Sequence, residues 1–374
     1  MSASDVAPVV DLPAPVLVVG TGLLGTSIAL GLRHLGVPVL LDDPSPTAVA
    51  VARDLGGGQP LREGDRPGLV VVAAPPDVTA DVVVAALRRH RGATVTDVAS
   101  VKSAIAERVA ADLADDPDAA ARYVGGHPMA GRERSGAVAA RADLFVGRPW
   151  VVCQGEAPSH RVRQVLTLAQ ALGAQPVTLD PATHDAAVAI VSHVPQVAAS
   201  LVAARLREAP EQAVALAGQG LRDVTRIAGS DPLLWAQILA GNAAEVARVL
   251  SALRADLDGV IEALSALGRD GEPVGARGTI ARAIADGNAG RDRIPGKHGS
   301  APTAYALVVV LLPDRPGQLG RLFADIGAAD VNVEEFTLEH SPGQPVGLAH
   351  VWVLPAARDS AEKALTEAGW RVVG

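Results

Sequence analysis

Val16-Leu17-Val18-Val19-Gly20-Thr21-Gly22-Leu23-Leu24-Gly25-Thr26-Ser27 sets an apolar run directly before G-x-G-x-x-G and a helical pattern directly after it. That context gives a short glycine pattern its meaning, because backbone amides and a helix N-terminus then face the place where a pyrophosphate binds. Gly22 presents no side chain to obstruct phosphates, and Gly25 permits close packing of helix on sheet. Helical spacing runs from Ser27 to Leu35 and breaks at Gly36, and a second strand, Val37 to Leu41, closes a βαβ unit. Asp42 ends that strand twenty residues beyond Gly22, where a carboxylate accepts from ribose hydroxyls. A 2′-phosphate would meet repulsion from Asp42 and Asp43, and no Arg follows immediately, so NAD is favoured over NADP. The candidate cofactor-binding residues are Gly20, Thr21, Gly22, Leu23, Leu24, Gly25 and Asp42, with Ala74 and Pro75 at the end of a further apolar run. The other reading of these residues is a glycine turn that holds no ligand.

Outward from this unit, apolar runs recur at Leu69 to Ala74, Thr94 to Val98, Trp150 to Val152 and Val177 to Leu179, separated by segments long enough for helices. Such alternation predicts an α/β domain of the Rossmann type, with a mostly parallel sheet, over residues 15–182 behind a tail at 1–14. From about His184 to Leu267 the pattern becomes Ala- and Leu-rich helical spacing, including a start at Asp231 before Pro232. An all-helical domain is expected over 183–299. Its last part, Gly268 to Pro302, is rich in Gly, Pro and charge and reads as a partly ordered linker or lid. A third unit, 300–374, opens with a strand at Tyr305 to Leu312, then Pro313-Asp314-Arg315-Pro316-Gly317, a helix from Leu319 and a strand near Val331 to Leu338.

A chain of 374 residues suits two or three such domains. Hydrophobic residues make up 49% and charged residues 20%, as in folded globular proteins. The 33 basic residues are outnumbered by 41 acidic ones and are scattered, which argues against a nucleic-acid partner. Cys153 is the single cysteine, so neither an intramolecular disulfide nor a thiolate metal cluster can form, and no metal is expected. Cys153 reads as a buried strand residue, the alternative being a reactive thiol. No apolar run suggests a membrane span and the N-terminus has no signal-peptide character, so a cytoplasmic location is expected.

Three further clusters carry chemistry: Asp97-Val98-Ala99-Ser100-Val101-Lys102, Gly126-His127-Pro128-Met129-Ala130-Gly131-Arg132-Glu133-Arg134-Ser135-Gly136, and Arg222-Asp223-Val224-Thr225-Arg226-Ile227-Ala228-Gly229-Ser230-Asp231-Pro232. Ser100 and Lys102 follow a strand at the carboxyl edge where open α/β sheets bind ligands. Ser100 can hydrogen-bond a substrate hydroxyl or cap a helix, and Lys102 reads as a solvated helix residue. His127 sits in a Gly- and Pro-bounded loop, and its imidazole suits a base that draws a proton from an alcohol. Glu133 reads from the sequence alone as a surface carboxylate paired with Arg132 or Arg134. Arg226, three residues beyond Asp223, shares a helix face with it, so Asp223 can hold a guanidinium that grips a carboxylate. The bland alternative is an exposed helical ion pair. In Ser192-His193-Val194-Pro195-Gln196 the proline kinks a helix beside Ser192 and His193.

These stretches resemble the prephenate and arogenate dehydrogenase family, from Val16 to about Gly299, with H-P-M-A-G-x-E-x-S-G and T-R-I-A-x-S-D-P the most specific matches. The resemblance implies His127 as catalytic base, Ser100 on the substrate hydroxyl, Glu133 gating the pocket, Arg226 anchoring a substrate carboxylate with Asp185 as another candidate partner, and His193 in the active site. Ser192, Gln196 and Asp223 join the substrate-binding candidates. Many members carry a second histidine where this chain has Gln196, which cannot be positively charged and leaves prephenate versus arogenate open. The implied reaction is NAD-dependent oxidative decarboxylation of prephenate to 4-hydroxyphenylpyruvate, or of arogenate to tyrosine, by a homodimer. The rival from another class is an amino-acid sensor with a decayed site. The C-terminal stretch resembles the ACT domain, a βαββαβ module that binds amino acids. Asp314, Arg315, Pro316, Gly317 and Asn332 are then regulatory candidates, with tyrosine as effector; a module that only dimerises is the alternative.

Overall fold

The computed structural model describes residues 11–131, 136–268, 275–295, 305–340 and 345–373. They form two compact units, the first running to residue 207 and including 225–252, the second comprising 208–224 and 253 onward.

The first unit is built on strands β1 (Val16–Val19), β2 (Val39–Asp42), β3 (Gln59–Pro60), β4 (Leu69–Val72), β5 (Thr94–Asp97), β6 (Tyr123–Pro128), β7 (Pro149–Cys153) and β8 (Gln175–Thr178). They lie in the order β3-β2-β1-β4-β5-β6-β7-β8, parallel throughout except where β6 meets β7. Val16, Val18, Leu69 and Val71 pack on one face with Ile28 and Leu32, while Leu17, Val70 and Val72 pack on the other with Val83, Leu87 and Ile105. Burial on both faces explains why these strands read as unbroken apolar runs. The glycine turn fixes how closely helix Leu23–His34 approaches: a Cβ at Gly25 would fall 1.9 Å from the Gly20 carbonyl oxygen.

β6 departs from expectation. Its Gly125-Gly126 and Pro128 read as loop punctuation, yet all six residues are buried strand, and His127 stands in it. Glycine is required at 126 because a Cβ there would meet the Asp97 carbonyl oxygen at 2.5 Å.

The helices after β8 belong to the first unit up to residue 207 and again over 225–252, so the helical region expected at 183–299 is divided between the units. Helix Pro181–Val188 passes into a π-helical turn, Ala189–His193, before helix Val194–Arg205 carries Pro195 in its first turn. The break thus falls beside Ser192 and His193. Asp231 caps helix Pro232–Gly241, accepting from the Leu233 and Leu234 amides at 2.8 and 3.3 Å. One helical stretch among the described residues, Pro181–Glu208, is long and apolar enough to cross a membrane, which amends the expectation of no such run. It also carries His184, Asp185, His193 and Gln196, all buried in the first unit.

In the second unit the expected linker contains a 16-residue helix, Ala276–Arg291, despite its Gly and charge content. Strand β9 (Ala306–Pro313), helix Gln318–Ala328, β10 (Glu335–His340), β11 (Val346–Val353), helix Arg358–Glu367 and β12 (Arg371–Val373) follow as βαββαβ. The antiparallel order is β10-β11-β9-β12, and Val308, Val310 and Leu312 alternate inward onto Leu322, Ile326 and Leu365. Asp314, Arg315, Pro316 and Gly317 form the exposed turn into helix Gln318–Ala328, and exposed Asn332 donates to Glu334 at 2.7 Å.

Candidate active site

A cavity of about 1080 Å³ in the first unit begins at the glycine turn and ends among the helices. Gly20, Gly22, Leu23, Leu24, Asp42, Ala74 and Pro75 line one part, and Ser100, His127, Ser192, His193 and Trp235 line another. Candidate cofactor residues and candidate catalytic residues thus share one space. Thr21 and Gly25 stand behind its wall, where the Thr21 amide and hydroxyl donate to Asp43 at 2.7 and 3.1 Å. Asp43 also accepts from the Ser45 amide at 2.8 Å, so although both carboxylates line the cavity, Asp42 is the one without a backbone amide bound to it. Nothing lies within 4 Å of a Cβ built on Gly22, which leaves the turn open to a phosphate. A nucleotide fits these residues.

His127 is one end of a buried chain. Its Nδ1 lies 2.8 Å from His184 Nε2, and His184 Nδ1 lies 2.8 Å from Asp185 Oδ1. A carboxylate accepts, so His184 carries its proton on Nδ1 and offers a lone pair at Nε2. His127 must then donate from Nδ1, which leaves a lone pair on its Nε2, the atom with no hydrogen-bond partner among the described residues. Burial first, then His184, Lys102 and His193, push the His127 pKa well below the ordinary histidine value, and only Asp185 opposes them. The imidazole is therefore neutral and basic at its free nitrogen.

Asp185 is committed by this chain and by the start of helix Ser103–Asp112. It accepts from the Lys102 and Ser103 amides at 2.9 and 2.8 Å. Burial raises its pKa, but the hydrogen bonds from His184, Ser103 and Lys102 outweigh that and hold it below the usual carboxylate value. The expectation that Asp185 pairs with Arg226 is corrected: its oxygens are already used.

Lys102 is not a solvated helix residue; it is 1% exposed and ion-paired with Asp97. Its Nζ also donates to the Gly126 carbonyl at 2.8 Å, while Asp97 accepts from Tyr123 Oη at 2.8 Å and from the Gly126 amide at 3.3 Å. Both backbone groups of the residue before His127 are held. Ser100 does not cap the helix, since Asp185 does, and its buried Oγ has no partner among the described residues. Cys153 is a buried strand residue whose thiol burial pushes up to about 12, which disposes of the reactive alternative.

The remaining candidates are less gathered. Ser192 and His193 line the cavity, and His193 meets Trp235 edge-on at 6.1 Å. Gln196 is buried outside the lining, 3.4 Å from both Ser200 and Ser230. Asp223 lies on helix Gln219–Thr225 and accepts from Gln219 at 2.7 Å, whereas Arg226 opens a separate 3-10 turn, Arg226–Ala228. Arg226 is exposed, has no partner among the described residues and does not line the cavity. Glu133, with Arg132 and Arg134, lies outside the described residues. His184 escaped sequence reading altogether; its signal was a histidine directly before Asp185 in a helix that starts at Asp180-Pro181.

Fold and site define a nucleotide-dependent oxidoreductase. Residues 28–178 match the family described as prephenate dehydrogenase, nucleotide-binding domain, and residues 180–272 match prephenate dehydrogenase, dimerization domain. The chain belongs to the prephenate dehydrogenase family. It is 37% identical over 358 residues to "Probable prephenate dehydrogenase NovF" of Streptomyces niveus, covering 95% of this chain and 98% of that one. A Lactococcus lactis prephenate dehydrogenase is 29% identical over 363 residues, covering 93% and 98% respectively. The Aquifex aeolicus prephenate dehydrogenase, solved with hydroxyphenyl propionate and NAD+, superposes with a TM-score of 0.64 at 25% identity over 75% of this chain and 97% of that one. Synechocystis arogenate dehydrogenase gives 0.61 at 25% identity, over 74% and 99%.

Proposed function

We propose that this chain oxidises prephenate with NAD, releasing 4-hydroxyphenylpyruvate and carbon dioxide in the cytoplasm, and that arogenate is the alternative substrate. The observation that carries this reading is the His127–His184–Asp185 chain, whose free Nε2 belongs to a cavity lined also by the glycine turn. NAD, when bound, supplies the hydride-accepting nicotinamide. His127 Nε2 draws the proton from the ring hydroxyl, and the charge that develops is shared through His184 towards Asp185. Ser100 Oγ, buried without a partner, hydrogen-bonds that hydroxyl. Once the hydroxyl carbon has become a carbonyl, loss of the ring carboxylate leaves an aromatic product and drives the step forward. Gln196 is outside the lining and gives no ground for preferring arogenate.

Arg226 is the proposed anchor of a substrate carboxylate, and Glu133 the proposed gate. Because Arg226 is exposed and does not line the cavity of its own chain, we assign its delivery to a homodimer. Exposed Leu253, Leu257, Ile261 and Leu264, spaced along one helix, give such a dimer an apolar stripe. The C-terminal βαββαβ unit is read as an ACT module through which tyrosine inhibits. Incubating the purified protein with NAD and prephenate or arogenate, and following absorbance at the NADH band, tests the reaction. Turnover of neither substrate overturns it, and unchanged kinetics at saturating tyrosine overturn the inhibition.

A further inference from the structure

Asp185 reaches a second histidine by its backbone. Its carbonyl oxygen lies 2.8 Å from Asn242 Nδ2, and the same nitrogen lies 3.2 Å from His193 Nδ1. A carbonyl oxygen only accepts, so the atom facing it is the amide nitrogen and the orientation of Asn242 is fixed. That nitrogen has two hydrogens and gives one to each neighbour. His193 Nδ1 must be the bare, accepting nitrogen, and the neutral ring carries its proton on Nε2. His193 is 1% exposed, lines the cavity, and its Nε2 has no hydrogen-bond partner among the described residues.

We propose that Asn242 is a positioning residue that holds His193 as a neutral Nε2–H donor for an acceptor oxygen of the substrate. His127 has the opposite tautomer, with Nδ1 donating and Nε2 bare. Asp185 anchors both, through its carboxylate to His184 and His127, and through its carbonyl to Asn242 and His193. One cavity thereby holds a base and a donor made from the same side chain, which cannot exchange roles. Protonation of His193 would set an Nδ1–H against the Asn242 N–H. Burial first, and then His184, also disfavour the charged ring, with Asp185 opposing.

The inference rests on the proposed reaction only in naming the substrate, and its test separates the two. Spectra of the full-length protein with 15N-labelled histidine imidazoles, at neutral pH without substrate, should show His193 as the Nε2–H tautomer and His127 as Nδ1–H. His193→Gln and His127→Asn provide the assignments. Asn242→Asp, which replaces the donor by an acceptor of the same size, should move the His193 proton to Nδ1. In NAD-dependent turnover the same variant should raise KM for prephenate about tenfold or more, with KM for NAD unchanged. His193→Gln, whose amide N–H reaches the Nε2 position, should keep substrate binding that His193→Asn loses. A wild-type His193 protonated on Nδ1 overturns the tautomer assignment without need of any variant. An altered tautomer in Asn242→Asp with unchanged prephenate KM, or a rise in the NAD KM alone, overturns the donor role. Absence of turnover with either cyclohexadienol overturns the reaction and the donor role together, while the spectra still decide the tautomers.

Discussion

Lys102 Nζ donates to the Gly126 carbonyl at 2.8 Å from a side chain that is 1% exposed. Its charge is balanced by Asp97, which is fully buried and also receives Tyr123 Oη and the Gly126 amide. Removing one partner strands a charge in the interior. Lys102→Met should therefore lower stability by about 3 to 5 kcal/mol, whereas adding Asp97→Asn to it should recover part of the loss. Chemical denaturation of the three proteins reads this directly. Equal stability of wild type and Lys102→Met would mean that the pair contributes nothing.

His184 has a different task, since it holds the proton on His127 Nδ1 without lining the cavity. His184→Leu should reduce kcat roughly 10²-fold with a smaller change in substrate KM, and His127→Asn should cost as much or more, within the ~10²- to 10⁴-fold typical of a positioned base. His184→Leu should also lower the melting transition by several degrees, because it leaves His127 Nδ1–H and Asp185 each short of a buried partner. A His184→Leu enzyme with full kcat would exclude the relay.

Titration adds a third expectation. Burial is the first cause that lowers both His127 and His193 from the ordinary value of 6.5. His127 also faces His184, Lys102 and His193, which lower it, and Asp185, which raises it. Between about 6.5 and these lower folded values the unfolded chain binds more protons than the folded one, so stability is full above that window and falls as pH drops through it. The acid limb of kcat/KM should lie below 6.5 for the same reason. An acid limb at or above that value would contradict a neutral, buried His127.

The glycine turn, the βαβ unit and the place of Asp42 at the end of its second strand were legible because they are local: period, punctuation and offset within a few dozen residues suffice. What stayed hidden depends on contacts across the fold. The His127–His184 bond joins residues 57 positions apart, and no periodicity announces it. Strand β6 was disguised because the close approach of Asp97 demands glycine at 126, the residue type that also marks loops. Lys102 followed a strand as a solvated residue would, and only the buried carboxylate at Asp97 explains its position. Pairing Asp223 with Arg226 relied on spacing alone, whereas Asp223 accepts from Gln219 and the boundary between the two units falls between them.

Asp42 is expected to set the preference for NAD over NADP. Its Oδ2 lies 3.9 Å from the guanidinium of Arg89, an arginine that follows far along the chain, and both side chains are exposed. With the carboxylate in place, a 2′-phosphate is repelled and Arg89 is occupied. Asp42→Asn should raise KM for NAD by about tenfold and improve use of NADP, because the freed guanidinium suits a phosphate. Adding Arg89→Ala should abolish the gain with NADP and leave the NAD defect. Equal loss with both cofactors in Asp42→Asn would assign Asp42 a structural task instead.

Arg226 supplies the test of a site shared between subunits. If it serves the cavity of the other protomer, His127→Asn and Arg226→Ala damage different parts of each composite site. Each variant alone should be nearly inactive. Random exchange of subunits in an equal mixture makes half of the dimers hybrid, and each hybrid has one site carrying both lesions and one carrying neither. Activity should then return to roughly a quarter of wild type. Were the guanidinium to act within its own chain, every site in the mixture would keep one lesion, and mixing would restore nothing.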